Sequence, residues 1–267
     1  MPRLSEINIY PIKSTRGISL QQAQVQARGI EWDRRWMLVD SNAKFITARS
    51  FPRLAMVSTA FASETLRVSA PGREPLSLSL EDIGPGDQLV DIWRDRCPGS
   101  VVSSQANAWF SDWLETDCRL VRLSDQDQRL VDSAYGQPGD QVSLADGYPL
   151  LIIGEASLRD LNQRLQQPVS MARFRPNLVV STDEPYIEDS WRHIRLGETE
   201  FELVKPCSRC VFTTIDPDTG KKHPTLEPLR TLGSYRRHPE GGVFFGQNAI
   251  PRRLGALTLD SEVEVLR

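Results

Sequence analysis

Extended segments of only a few residues, each stopped by Gly, Pro or a polar turn, recur along most of this chain and limit what it can fold into. Leu4, Ile7 and Ile9 mark an extended start that Pro11 ends. Residues 36–39 and 44–47 flank the polar stretch 40–43 as the two arms of a hairpin. Leu66 and Val68 alternate with polar neighbours, as do Leu76, Leu78 and Leu80. Strands this short, with Gly and Pro punctuation, favour a sandwich or a barrel.

Helical patterns are fewer. Ala106, Trp109, Phe110, Trp113 and Leu114 share one helical face, with Ser103 or Ser104 as N-cap. Residues 155–165 place Leu158, Leu161 and Leu165 on one face and stop before Pro168; residues 228–237 form a third, weaker pattern interrupted by Gly233. The fold class is therefore mainly β with a few helices, of the α+β kind. A polar, turn-rich stretch near 121–146 divides the chain into 1–120 and 121–267, two domains sharing an interface, where pockets tend to form.

Lys plus Arg number 32 and Asp plus Glu 35, a net charge of −3. That balance gives no reason to expect nucleic-acid or anionic-membrane binding, although a local basic pocket is compatible with it. The start does not resemble a signal peptide and no apolar run is long enough to span a bilayer, so the expected compartment is the cytoplasm, where thiols stay reduced.

Four cysteines are present, and two of them, Cys207 and Cys210, stand in the segment 205–220. A zinc site needs four ligands; there is no second close pair, and His193, His223 and His238 stand singly. A thioredoxin-like pair opens a helix, whereas the residues after this one, 211–215, read as strand. Two buried small hydrophobes are the plain alternative. Lys205 and Arg209 flank the pair, and positive neighbours favour a thiolate suited to a soft metal centre. Residues 216–220 form a strong turn signal.

Four further segments carry polar chemistry. Lys13-Ser14 at a strand end offers an ammonium, a hydroxyl and backbone amides to an anion. In Asp33-Arg34-Arg35, one Arg pairs with Asp33 and leaves the other for an anion or a ring. Pro176 makes Arg175 extended, so Arg175 and Asn177 point to one side. Gly246 permits close backbone approach beside Gln247 and Asn248. Each segment alone is compatible with an ordinary surface turn. Together they describe an anion-binding pocket assembled from several loops, plus one activated cysteine.

Taken in order, these segments resemble a family of two-domain proteins: an N-terminal β-barrel-like domain packed on a MOSC (molybdenum cofactor sulfurase C-terminal) β-barrel domain. The family includes the mitochondrial amidoxime-reducing component and its bacterial counterparts. The resemblance runs from 10–14 through 47–49, 52–54, 155–158 and 174–177 to 207–210, 216–220 and 245–247. It implies a molybdenum–pyranopterin cofactor with a terminal phosphate and Cys210 as the metal ligand, Cys207 being a neighbour. Lys13, Ser14 and Arg34 resemble residues that hold this cofactor from the first domain, and Arg175, Asn177, Ser208 and Arg209 those that hold it from the second. Asn248 and Tyr148 stand at further contact positions, and Asp216 is a candidate near the metal with an equally good structural role.

The implied reaction is two-electron reduction of an N-hydroxylated small molecule, such as an amidoxime or hydroxylamine, with loss of water. Residues 257–266 read as a closing strand, and the remaining cysteines offer no cluster motif. Electrons are therefore expected from a separate protein of ferredoxin, flavodoxin or cytochrome type. Two other readings compete: a carrier of cofactor or sulfur without turnover, and a zinc-stabilised β module.

Overall fold

In a computed structural model that describes residues 2–267 apart from 82, 85 and 240, strands dominate and three α-helices stand among the described residues. The chain begins with β1 (Arg3–Ile9), β2 (Ile18–Leu20), β3 (Gln22–Gln26), β4 (Gly29–Ile30) and β5 (Trp36–Val39). It continues through β6 (Ser58–Ala62), β7 (Thr65–Ser69), β8 (Leu76–Ser79), β9 (Gln88–Ile92) and β10 (Asp95–Val101) to helix α1 (Ser104–Leu114) and β11 (Arg119–Arg122). Then come β12 (Leu150–Gly154), α2 (Glu155–Arg164), β13 (Leu178–Ser181), β14 (His193–Leu196) and β15 (Thr199–Ser208). The last elements are α3 (Leu229–Tyr235), β16 (Phe244–Arg253), β17 (Gly255–Thr258) and β18 (Val263–Val265).

The largest sheet has eight strands in the order β18-β14-β15-β16-β12-β13-β1-β2. Its centre is β12, buried at all five residues, which pairs parallel to β13 and antiparallel to β16. A strand of unbroken Leu and Ile fits a position covered on both faces. The first residues of the chain complete this sheet, because β1 pairs antiparallel with β13. A register shift between Leu4 and Glu6 explains the spacing of β1. It lets Leu4, Ile7 and Ile9 enter the same core although Leu4 and Ile7 are an odd number apart.

A second core lies around α1, where Phe110 and Trp113 pack with Trp36, Leu66, Val68, Leu76 and Leu78. Ser103 is the N-cap and accepts the Ala106 amide at 3.1 Å. The turn across 40–43 folds back, with Asp40 N donating to Lys44 O at 2.9 Å and Ile46 N to Leu38 O at 2.7 Å, but residues 44–47 form isolated bridges rather than a second strand. The patterns at 155–165 and 228–237 form α2 and α3.

Three further local expectations are corrected. Residues 211–215 are not a strand; Val211–Thr214 is a 3-10 turn. The β-branched composition misleads there, because Thr213 and Thr214 turn their hydroxyls back onto the carbonyls of Cys210 and Val211, at 3.0 and 2.7 Å. Residues 257–266 hold parts of two strands in different sheets, since Asp260 at φ 62° turns the chain between β17 and β18. Arg175 is not extended: its φ is 57°, in a turn that its own side chain fixes by donating to Thr15 O.

Candidate functional site

Loop by loop, the chain brings distant residues to one cleft. Lys13 and Ser14 follow β1 in a turn tied to β5, with Lys13 N donating to Trp36 O at 2.8 Å. Arg34 stands in the turn before β5, and its amide donates to Tyr10 O at 3.0 Å. Arg175 and Asn177 lead into β13, Ser208 ends β15, and Arg209 and Cys210 follow it. Asn248 lies in β16, whose neighbour Gly246 has φ 79° and no room for a side chain: a Cβ there would stand 2.6 Å from Ile153. Alternation along β16 then separates the pair expected to act together. Asn248 lines the cleft, whereas Gln247 is buried and donates to Asp189 at 2.6 Å.

Of the residues nominated by the sequence, Lys13, Ser14, Arg34, Tyr148, Arg175, Asn177, Ser208, Arg209, Cys210 and Asn248 all line this one cleft. Asp216 does not. Its Oδ1 accepts the amides of Asp218 and Thr219 at 2.9 and 3.0 Å, and its Oδ2 accepts Arg173 at 3.0 Å. This carboxylate closes the turn at 216–220 and ties it to the segment before β13.

The lining holds five cations, Lys13, Arg34, Arg49, Arg175 and Arg209, against one carboxylate, Asp146. Burial lowers Lys13 to about 8, although Asp146, accepting its ammonium at 2.6 Å, works the other way. Crowding by the protein opposes ionisation of Asp146, but Lys13 and Arg49 outweigh it and hold the carboxyl below the ordinary range. Burial, helped by the Arg34 charge, lowers Arg175 to about 10, which leaves it cationic at neutral pH. Both Arg34 and Arg175 stack over the Tyr10 ring, at 4.3 and 4.0 Å from its centroid. Arg34 also pairs with Asp33 and donates to Asn177 Oδ1 at 2.9 Å. Arg35 turns away to Asp125.

The cysteines divide by place. Cys97 and Cys118 are buried, and burial raises both thiols, Cys97 to about 11, which makes them inert core residues. Cys207 and Cys210 are free thiols on the cleft wall, and Cys210 is exposed. The flanking cations are not arranged as their sequence neighbourhood implies. Arg209 donates to Cys207 Sγ at 2.9 Å, while Lys205 lies over the Tyr135 ring. The cation beside Cys210 is Arg49, whose Nη1 stands 3.6 Å from the sulfur. Sequence reasoning gave Arg49 no role of its own: it lies in the segment 47–49 that carries the resemblance, but nothing local marks it as a neighbour of Cys210. Asp146, beside Tyr148 in a segment read as a weaker contact, pairs with both Lys13 and Arg49.

Among the described residues, no group of three or more His, Cys, Asp or Glu converges on a point. A metal at Cys210 thus needs its other donors from a bound group, as a dithiolene provides. The residues present fit such a group. The cations suit a phosphate, and the exposed thiol suits a soft metal.

Comparison with known proteins identifies the family. A family model described as the MOSC N-terminal beta barrel domain matches residues 1–117, and one described as the MOSC domain matches residues 139–264. The mitochondrial amidoxime-reducing component 1 of Mus musculus is 35% identical over 87% of this chain and 71% of its own length. The mitochondrial amidoxime reducing component 2 of Rattus norvegicus is 37% identical over 87% and 72%. The molybdenum cofactor sulfurase of Oryza sativa subsp. japonica is 34% identical over 91% of this chain but only 32% of its own length.

Proposed function

Because the chain belongs to the family that joins an N-terminal MOSC β-barrel domain to a MOSC domain, we propose that it is a molybdenum-cofactor oxidoreductase reducing N-hydroxylated small molecules. Its electrons would come from a separate redox protein. The observation that carries this reading is the convergence of an exposed thiol and five cations in one cleft built from both halves of the chain.

Lys13, Ser14, Arg34, Arg175 and Arg209 would hold the phosphate, while Asn177 and Ser208 serve the pterin and Tyr148 and Asn248 form the remaining wall. Cys210 would ligate the metal. When bound, the cofactor supplies a two-electron couple and an oxophilic centre at which the N–O bond breaks. The overall reaction takes up two electrons and two protons and releases water and the reduced compound. Arg49 keeps a positive charge beside Cys210, and Asn177 fixes Arg34 by accepting its guanidinium.

A carrier of cofactor or sulfur is the second reading. The second cleft thiol, Cys207, and the sulfurase among the relatives favour it. Protein purified from a cofactor-competent host, assayed for molybdenum and pterin and then for benzamidoxime reduction with a chemical donor, separates the two. About one metal per chain with turnover supports the reductase. Metal without turnover favours the carrier, and zinc alone sinks both. Cys210→Ser is expected to abolish turnover and lower molybdenum content, with a smaller effect from Cys207→Ser. Full activity in both variants would remove Cys210 as the ligand.

A further inference from the structure

Trp93 sits at the tip of the β9–β10 hairpin and is 55% exposed. The tip is a two-residue turn, since Ile92 pairs with Asp95. Trp93 occupies it with φ 57°. Gly or Asn is the ordinary occupant of a hairpin turn with positive φ, and a bulky aromatic there is an outlier. Backbone outliers of this kind gather at functional sites, so the residue calls for a reason.

Two ring contacts and a side-chain hydrogen bond to Asp146 hold the indole in place. Phe45 packs against it at a centroid separation of 5.1 Å, and the Arg49 guanidinium lies 4.5 Å from its centroid. That guanidinium stands 3.6 Å from Cys210 Sγ and 3.4 Å from Asp146 Oδ2. A single side chain therefore separates an exposed indole from the cleft thiol. A guanidinium orients an aromatic ring through its π-face, so the half-exposed indole stands one side chain removed from the lining of the cleft.

We propose that Trp93 is a specificity-determining residue: a stacking platform at the rim of the cleft that receives the planar, apolar part of a substrate whose N–O group is presented beside Cys210. The substrate class is then aryl amidoximes and aryl hydroxylamines rather than small aliphatic ones. This proposal rests on the reductase reading for the identity of the reacting group, but the platform itself is a binding property of the chain.

The test compares benzamidoxime with hydroxylamine as substrates of cofactor-loaded protein, with a chemical electron donor, for the native chain, Trp93→Gly and Trp93→Phe. Glycine keeps the turn while deleting the ring. Trp93→Gly is expected to raise KM for benzamidoxime about five- to tenfold, with both kcat values and KM for hydroxylamine within about twofold, and Trp93→Phe to recover most of the loss. An equal loss for both substrates, or none for either, overturns the proposal. So does a loss seen only when a donor protein replaces the chemical donor, because the indole would then be a docking contact for that protein. A second readout needs no turnover: titration with benzamidine, the reduced product, followed by tryptophan fluorescence. Quenching in the native chain that Trp93→Gly lacks supports the platform even if no N-hydroxylated compound is reduced, in which case only the reductase reading falls. Identical quenching in the two proteins overturns the platform.

Discussion

Ser14, Arg34 and Arg175 line the same cleft and hold φ values of 73°, 49° and 57°. Non-glycine residues avoid this region at a cost of about 1–3 kcal/mol each, so the surrounding structure must over-determine them. It does: Arg34 is fixed by Asp33 and Asn177, and Arg175 by Thr15 O and the Tyr10 ring. The cations are thus aimed before any anion arrives, which is what preorganisation requires. Lys13 allows a test by pH. Burial takes it from an ordinary 10.5 to about 8, so between those values the unfolded chain binds more protons than the fold. The contribution of Lys13 to stability is therefore least below about pH 8 and rises with pH across that window. Cofactor-free native protein should gain thermal stability relative to Lys13→Met as pH rises from 8 towards 10. Under the proposed function, cofactor retention should fall over the same window, because the ammonium that would face the phosphate is lost. A pH-independent difference between the two proteins would contradict the assignment. At this scale the residues that gather in the cleft were legible through the order of several segments, since each of those segments alone reads as an ordinary turn. Arg49 was not, since its value lies in contacts to Cys210 and Trp93 that local sequence does not encode.

At the scale of elements, the segment after Cys210 shows where pattern reading fails. Val, Phe and Thr favour strand, but two threonine hydroxyls bonded to carbonyls three residues back give the chain a tighter alternative. The next turn depends on Asp216. Burial works against ionisation of its carboxyl, but the Thr219 and Asp218 amides and Arg173 hold it below the ordinary range. Asp216→Ala leaves two amides and Arg173 without their acceptor and should cost about 1–3 kcal/mol, read as a lower midpoint in urea. Turnover per bound molybdenum should fall far less than it does for Cys210→Ser. A loss of turnover at full cofactor content and unchanged midpoint would instead give Asp216 a chemical role. Strands β1, β5, β7 and β8 and all three helices were readable, because alternation, the 3.6-residue period and a serine cap are local signals. The pairing of β1 with β13 was not, because register between strands some 170 residues apart depends on packing that no local pattern records.

At the scale of the whole molecule, a chain of net charge −3 concentrates five cations in one cleft, a distribution that composition cannot reveal. The same cleft explains why the two halves must stay together. Lys13, Ser14 and Arg34 come from residues 1–120, and Arg175, Arg209 and Cys210 from residues 121–267. The division near 120 is proposed as a boundary in sequence, yet β1 and β2 belong to the sheet of the later half and β3 pairs with β17. Leu4, Ile7 and Ile9 pack there with Leu150, Ile152, Leu178 and Val180. Removing three buried apolar side chains at about 1.5–3 kcal/mol each forfeits roughly 5–9 kcal/mol, comparable to the whole stability of a typical domain. A fragment of residues 121–267 should therefore show no cooperative thermal transition and no protection of the β13 amides from hydrogen exchange. Co-expression with residues 1–120 should restore both, and with them molybdenum retention, since neither half carries the full set of cations. A fragment that melts cooperatively alone would mean that the later half supports its sheet without β1. The cofactor would then be held at the seam of two independent domains, not inside one continuous sheet.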